Sequence, residues 1–482
     1  MKIAYVASEI TPFASTGGLA EVAGALPAAL AAQGHTVWRF MPMYRAIMES
    51  PHAIRPLDIK LTIPVGFRNW RADVWTCEDP GPRTYFIRRD EFFDRSQLYS
   101  LPDRDYDDNF ERFVFFQKAV VALLDALQLK PDIVHGNDWQ TGLLPFFLQH
   151  GIQGRERGRR ERCVFTIHNL AYQGVYPGSD FTMTNLPFNA FSVDTVEFYG
   201  QVNCLKAGIT GSDVVTTVSP TYAREIQTKE DGFGLDGVLR SAGSRLHGIL
   251  NGIDMSVWDP AQDGRIGANF DPDHMAGKKT CRQKLANRMK LRLKPDTALL
   301  GMVTRMVDMK GMDIVAEAMP ELMKRNVAVA ILGSGQDKYQ KLCAEWAEAW
   351  PGRFSVRIGY DAQLAHEIQA GSDLCLIPSR HEPCGLTQFY SLRYGTVPVV
   401  HAVGGLEDSV QDLSADGATG TGIKFRDYRA ESLIAAVDRG LAHFGNPALW
   451  SSIQRRGMTQ DFSWAKPASE YLALYRQIAP QA

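Results

Sequence analysis

From residue 2 to residue 400 the chain alternates short apolar runs with amphipathic helical stretches, and that alternation restricts it to α/β architectures. Candidate strands are 2–7, 36–41, 133–135, 163–168, 214–218, 299–304, 327–332, 354–358, 374–378 and 397–400. Several are continuous apolar runs, Val327-Ala328-Val329-Ala330-Ile331-Leu332 being the clearest. Such runs belong to parallel sheets that helices cover on both faces. Helical patterns fill the gaps at 19–33, 110–127, 313–324, 364–371 and 386–395. A length of 482 residues exceeds one compact core and suits two or three domains. The halves echo each other: Gly17-Gly18-Leu19-Ala20-Glu21 and Gly404-Gly405-Leu406-Glu407-Asp408 both open helices. Two Rossmann-like domains are therefore expected, 1–250 and 251–464. The polar stretch 251–279 is expected to link them, and an amphipathic C-terminal segment, 465–482, to cross back toward the first.

A formal net charge of −2 advertises neither nucleic acid nor an anionic membrane as a partner. The first apolar run turns polar at Ser8-Glu9, too early for a signal-peptide core, and no stretch approaches the ~20 residues of a spanning helix. A cytoplasmic protein is expected. The seven cysteines are odd in number and widely spaced, with no C-x-x-C pair, which indicates neither a disulfide frame nor structural zinc.

Chemistry-bearing residues gather where strands end, the place where open α/β sheets bind ligands. Ser15-Thr16-Gly17-Gly18 opens a helix and is either a phosphate cradle or a plain tight turn. Asp138, after Val134-His135-Gly136-Asn137, is either a functional carboxylate or a helix cap. His168, after Phe165-Thr166-Ile167, is either functional or a hydrogen-bonded structural histidine. Arg305 and Lys310 put two cations near one strand end, which suits a diphosphate, though a solvated loop is the usual place for such residues. Gly333-Ser334-Gly335 is a second glycine turn. Glu382, Cys384 and Gly385 meet at another helix entrance, either as ligands of a hydroxyl-rich group or as first-turn residues.

Taken in order, these segments resemble bacterial glycogen synthases and plant starch synthases along essentially the whole chain. The resemblance runs through Ser8-Glu9, Phe92-Phe93-Asp94-Arg95, Glu111-Arg112-Phe113, His135-Gly136-Asn137-Asp138-Trp139 and Thr166-Ile167-His168-Asn169 with Gln173-Gly174. It continues through Trp258-Asp259-Pro260 and is strongest at Pro378-Ser379-Arg380-His381-Glu382-Pro383-Cys384-Gly385-Leu386-Thr387-Gln388. It implies a glycosyltransferase-B fold, two Rossmann-like domains facing a central cleft. The implied reaction is retaining transfer of glucose from ADP-glucose to the non-reducing end of an α-1,4-glucan, with no metal or other cofactor. The implied catalytic residues are Asp138, His168, Arg305, Lys310 and Glu382. The donor residues would be Ser15, Gly17, Gly18, Gly335, Tyr360 (stacking on adenine), Cys384, Gly385, Leu386, Gly404 and Gly405. Phe93, Asn169 and Gln173 would meet the acceptor. A homo-oligomer stays open.

The chain departs from the family where Lys commonly precedes Thr16 (here Ser15), at His401 and Val403 (commonly Arg and Thr), and at Met309 (commonly Gln). These departures bear on the donor and keep UDP-glucose open as an alternative. Arg39 and Arg45 are the nearby cations in sequence that could replace the missing lysine. Two rival readings are a related glucosyltransferase of other specificity and a weakly active glucan-binding regulatory homologue. Many sucrose-type and lipid-directed relatives carry two glutamates eight positions apart; here Glu382 is followed at that offset by Tyr390.

Overall fold

The computed structural model describes residues 1–101, 104–154 and 161–480; the last two positions of the expected segment 465–482 lie outside the described residues. Contacts divide the chain into two compact units, Met1–Gly252 with Trp464–Ala482, and Ile253–Ser463.

The first unit carries β1 (Lys2–Val6), β2 (Thr36–Pro42), β3 (Arg55–Val65), β4 (Arg68–Cys77), β5 (Thr84–Arg88), β6 (Ile133–Asn137) and β7 (Arg162–Ile167). A separate three-stranded sheet follows, of β8 (Val175–Pro177), β9 (Glu197–Phe198) and β10 (Gln201–Asn203), and then β11 (Val214–Thr217) and β12 (Leu246–Gly248). The main sheet runs β12-β11-β7-β6-β1-β2-β5-β4-β3. It is parallel from β12 to β5, with β4 and β3 antiparallel at one edge. The second unit carries β13 (Ala298–Met306), β14 (Val327–Gly335), β15 (Phe354–Ile358), β16 (Leu374–Ile377), β17 (Val397–His401) and β18 (Ile423–Phe425). Its sheet is parallel throughout, in the order β15-β14-β13-β16-β17-β18. Counted by first appearance, that is the doubly wound order 3-2-1-4-5-6. The parallel strands of the first unit follow the same order, with one more strand added at the far end.

All ten runs expected as strands lie on these sheets, because burial on both faces makes them uniformly apolar. In β13 and β14, Leu300, Met302, Val329 and Ile331 enter one core cluster. The alternate residues Leu299, Ala328, Ala330 and Leu332 enter the opposite one, with Leu285, Leu364 and Ile368. Each large aliphatic side chain so buried contributes about 1.5–3 kcal/mol. The sequence did not announce β3, which carries Pro56 and Pro64. Proline removes a ladder donor and reads against a strand, yet β3 is the edge of its sheet, where the missing N–H breaks no pairing.

The chain leaves the first unit after Gly252 and returns at Trp464. Its C-terminal helix, Ala465–Ile478, packs against the helix Gly18–Ala32 of that unit. Tyr475 places its hydroxyl 2.6 Å from Nδ1 of buried His135, whose Nε2 lies 2.6 Å from Thr166 Oγ1. Burial pushes the His135 imidazole down to about 3, so it is neutral, with one nitrogen donating and the other accepting. Among the described residues no helix is long and apolar enough to cross a membrane.

Candidate active site

In the first unit the strand order reverses at β1, which has β2 on one side and β6 on the other. The crevice expected at such a reversal lies beyond the carboxyl ends of β1 and β6. Glu9 follows β1, Asp138 follows β6, and His168 follows the adjacent β7. Asp138 takes φ 53° and ψ −178°, a conformation costing of order 1–3 kcal/mol for a residue with a side chain. Its side chain does not cap the short helical turn Trp139–Thr141 that follows. Instead the carboxylate accepts the backbone N–H of His168 at 2.7 Å and that of Asn169. Burial pushes the carboxyl up to about 7, against those two hydrogen bonds, and the Glu9 charge adds to the rise.

His168 is held by Asn137. The Asn137 amide nitrogen donates to the Val6 carbonyl at 3.0 Å, so its oxygen faces the Tyr5 hydroxyl and His168 Nε2, at 3.0 and 2.9 Å. Nε2 therefore donates and Nδ1 keeps its lone pair. Burial pushes the imidazole down to about 3, so it is neutral. Glu9 was not assigned a role from sequence, yet it organises the glycine turn. Its carboxylate accepts from the Thr16 N–H, the Thr16 hydroxyl, the Tyr99 hydroxyl and the Gly17 N–H. The expected phosphate cradle thus has donors turned onto an internal anion. The legible signal was an acid directly beyond β1 and before a Gly-Gly turn.

Ser15, Gly17 and Gly18 are exposed. Neither nearby arginine is free to replace the missing lysine at position 15. Arg39 is buried, donates to the Pro80 carbonyl at 2.6 Å and lies over the Phe13 ring, while Arg45 pairs with Asp94 at 2.6 Å. One acceptor expectation needs correction. Phe93 is fully buried among Tyr44, Phe92, Phe113 and Phe115, where a sugar cannot reach it. Gln173, also expected to meet the acceptor, donates to the Phe233 carbonyl at 2.9 Å and accepts from Asn203 at 2.6 Å, each end of its amide having a second hydrogen-bonding position beyond these. Asn169 folds its side-chain oxygen onto the Ala171 N–H at 3.0 Å while its own N–H serves Asp138.

In the second unit the reversal lies between β13 and β16. Gly311, at φ 81°, sits so close to the Pro378 carbonyl that a Cβ there would overlap it, and Arg380 N–H donates to the Met309 carbonyl at 3.0 Å. Two loops 70 residues apart are thereby zipped together. Lys310 Nζ meets both Glu382 oxygens, at 2.8 and 2.6 Å, and Ser379 Oγ donates to one of them at 2.8 Å. Glu382 is buried; Arg305, at the end of β13, is exposed with no side-chain ion pair among the described residues.

A third loop closes on the same place. Gly404 and Gly405, after β17, pack on the backbone of Glu382 and Cys384, where a side chain would collide. The Gly405 N–H points to the carbonyls of Glu382 and Pro383, at 3.0 and 3.1 Å. It was expected to serve a ligand; its observed partners are internal. Gly335 likewise allows close approach, to Met306. Departing residue His401 has its ring nitrogens at the Ser379 and Arg426 carbonyls, 2.8 and 3.1 Å away. Cys384 is buried, and Gly385 and Leu386 lead into the helix Thr387–Arg393. Tyr360, after β15, is 94% exposed, beside Asp361, which caps the next helix.

The sequence profile of the starch synthase catalytic domain matches residues 2–241, and that of glycosyl transferases group 1 matches residues 283–443. A glycogen synthase of Anaeromyxobacter sp. (strain Fw109-5) is 46% identical over 99% of this chain and 100% of its own length. Glycogen synthase 2 of Geobacter sulfurreducens is 40% identical, with 99% of each covered. Among solved structures, the catalytic domain of starch synthase IV from Arabidopsis thaliana, bound to ADP and acarbose, matches with TM-score 0.90 and 31% identity over 99% of both chains. Sucrose-phosphate synthase from Thermosynechococcus elongatus, at TM-score 0.62 and 17% identity over 100% of both chains, shares the fold alone. With relatives this similar over its full length, and the glycosyltransferase-B fold in common, the chain belongs to the glycogen and starch synthase family of glycosyltransferases.

Proposed function

We propose that this chain transfers glucose from ADP-glucose to the non-reducing end of an α-1,4-glucan with retention of configuration, in the cytoplasm and without a resident metal. The observation that carries the reading is the Lys310–Glu382 pair at the strand-order reversal of the second unit, with exposed Arg305 on the same strand end. Relatives named glycogen synthase and the ADP held by the Arabidopsis neighbour support it. In the reaction the bond from C1 to the β-phosphate oxygen breaks. The acceptor 4-hydroxyl oxygen bonds C1 on the same face, and its proton leaves with ADP. An ammonium has three hydrogens; two meet Glu382, and the third serves a phosphate oxygen. Arg305 neutralises the departing diphosphate, Glu382 orients the transferred glucose, and Tyr360 stacks on the adenine. Within the first unit, neutral His168 and the Asp138 carboxyl are the candidate sugar-binding groups.

The test is ADP release from ADP-glucose in excess chelator, with and without glycogen, and the anomeric configuration of the new linkage by NMR. Glucan-dependent release with α-linked product is expected. Arg305→Ala should lower kcat/KM by about 10²-fold, the scale of one lost transition-state contact. Activity lost in chelator and restored by a divalent ion would count against the metal-free reading.

Ser15 carries the donor question. A lysine would meet phosphate as a cation, and a charge-assisted hydrogen bond contributes about 1.5–3 kcal/mol against about 1 for a neutral one. With Arg39 and Arg45 committed elsewhere, Ser15→Lys is expected to raise kcat/KM for ADP-glucose by up to about tenfold. Steady-state kinetics against ADP- and UDP-glucose decide it; unchanged or poorer use of both donors sinks the idea.

A further inference from the structure

Four aromatic residues of the second unit form an assembly that the proposed chemistry does not use. Trp258, in the first segment of that unit, lies parallel to Tyr390 at 3.6 Å between ring centroids and 12°. It lies parallel to His366 at 3.9 Å and 7°. Two rings cannot share one face at such distances, so the indole is sandwiched. His366 Nδ1 is 2.7 Å from Asp263 Oδ2, and the Tyr394 hydroxyl donates to the same oxygen at 2.7 Å. The Asp263 side chain is fully buried. Arg393 pairs with Asp259 at 2.7 Å.

These contacts converge on two helices. His366 belongs to Ala362–Gly371, which begins two residues after Tyr360; Tyr390 belongs to Thr387–Arg393, which begins directly after Leu386 and follows Glu382. The indole is therefore a spacer between the helix behind the exposed Tyr360 ring and the helix behind the Lys310–Glu382 pair. Tyr390 also stands eight positions after Glu382, in the helix that the Glu382 loop leads into.

We propose that Trp258 and Tyr390 are positioning residues that fix the distance between the base site and the diphosphate site of the donor. The proposal rests on the reading of Tyr360 and Lys310 as donor residues. Two subsites joined in one ligand bind well only when their spacing matches it, so a change of spacing weakens the joined ligand more than its halves.

The experiment measures binding of ADP, adenosine and inorganic pyrophosphate by calorimetry, directly or by competition, with kinetics for ADP-glucose and glycogen, in wild type, Tyr390→Leu, Tyr390→Phe and Trp258→Phe. Tyr390→Leu is expected to bind ADP about tenfold more weakly and raise the KM for ADP-glucose alike, with adenosine, pyrophosphate and the KM for glycogen unchanged. Tyr390→Phe, which keeps the stack, is expected to restore ADP binding; Trp258→Phe, which shortens the spacer, should behave like Tyr390→Leu. Wild-type ADP affinity in folded Tyr390→Leu overturns the positioning role alone. Weakening of adenosine or pyrophosphate by the same factor also overturns it, because the variant has then damaged a subsite. A wild type that binds no ADP overturns the donor reading and this proposal together.

Discussion

Glu382→Ala is expected to lower turnover by about 10²–10³ while the protein stays folded, the range for removing one electrostatic contact made in a transition state. The substitution removes a carboxylate that three loops converge on, and it also releases Lys310 from its two hydrogen bonds. Lys310→Ala acts on the same unit from the other side, leaving a buried carboxylate without its cation while the Ser379 hydroxyl still donates to it. The two losses should therefore not multiply. The double mutant is expected within about tenfold of the worse single mutant, as groups in one network behave. Turnover of all three variants, with circular dichroism to check the fold, makes the test. A double mutant whose loss equals the product of the singles would show two independent residues. A folded Glu382→Ala at near wild-type turnover would remove it from the chemistry.

Asp138→Asn is expected to stabilise the protein and cost it at least about 10² in turnover. The carboxyl is raised by burial, to about 7. An acid with a raised folded pKa holds its proton longer in the native state than in the unfolded chain. Stability is then greatest below the ordinary carboxylate range and is lost as pH climbs toward 7, with the full penalty above it. An amide mimics the protonated form. The gain should be absent near pH 4 and full at pH 8, of order 1–3 kcal/mol after weaker acceptance from the His168 and Asn169 N–H groups. Melting temperatures of both proteins across that pH range, beside their turnover, decide the matter. A variant that melts lower than wild type at pH 8 refutes the burial argument, and one with intact turnover refutes the role.

What the sequence disclosed follows from burial. Strands covered on both faces are apolar throughout, so they read clearly; β3 reads as loop because its prolines are tolerated only at an edge, and edges are set by partners. Three-residue strands such as β12 and β18 are too short for any period. In the site, residue type and position at strand ends made Asp138, His168, Arg305 and Glu382 candidates, and the family resemblance gave them their expected roles. Their partners were hidden. Lys310 finds Glu382 only because Gly311 nests against Pro378, a contact that no local pattern encodes. Phe93 misled because a motif aromatic reads alike whether it faces a sugar or the core. Glu9 was overlooked because its significance lies in what it fills, the donors of the turn after it.

The C-terminal helix bears on how such a chain is made. The whole of Ile253–Ser463 is synthesised between the body of the first unit and the helix that completes it. During translation the first unit emerges lacking Tyr471 and Tyr475, and the pocket around His135 and Tyr5 stays unsealed until the helix Ala465–Ile478 has been made. The second unit is contiguous and can close on its own schedule. The half synthesised first is thus the half finished last, and a chain that stops before Trp464 is spoiled in the unit that was made first.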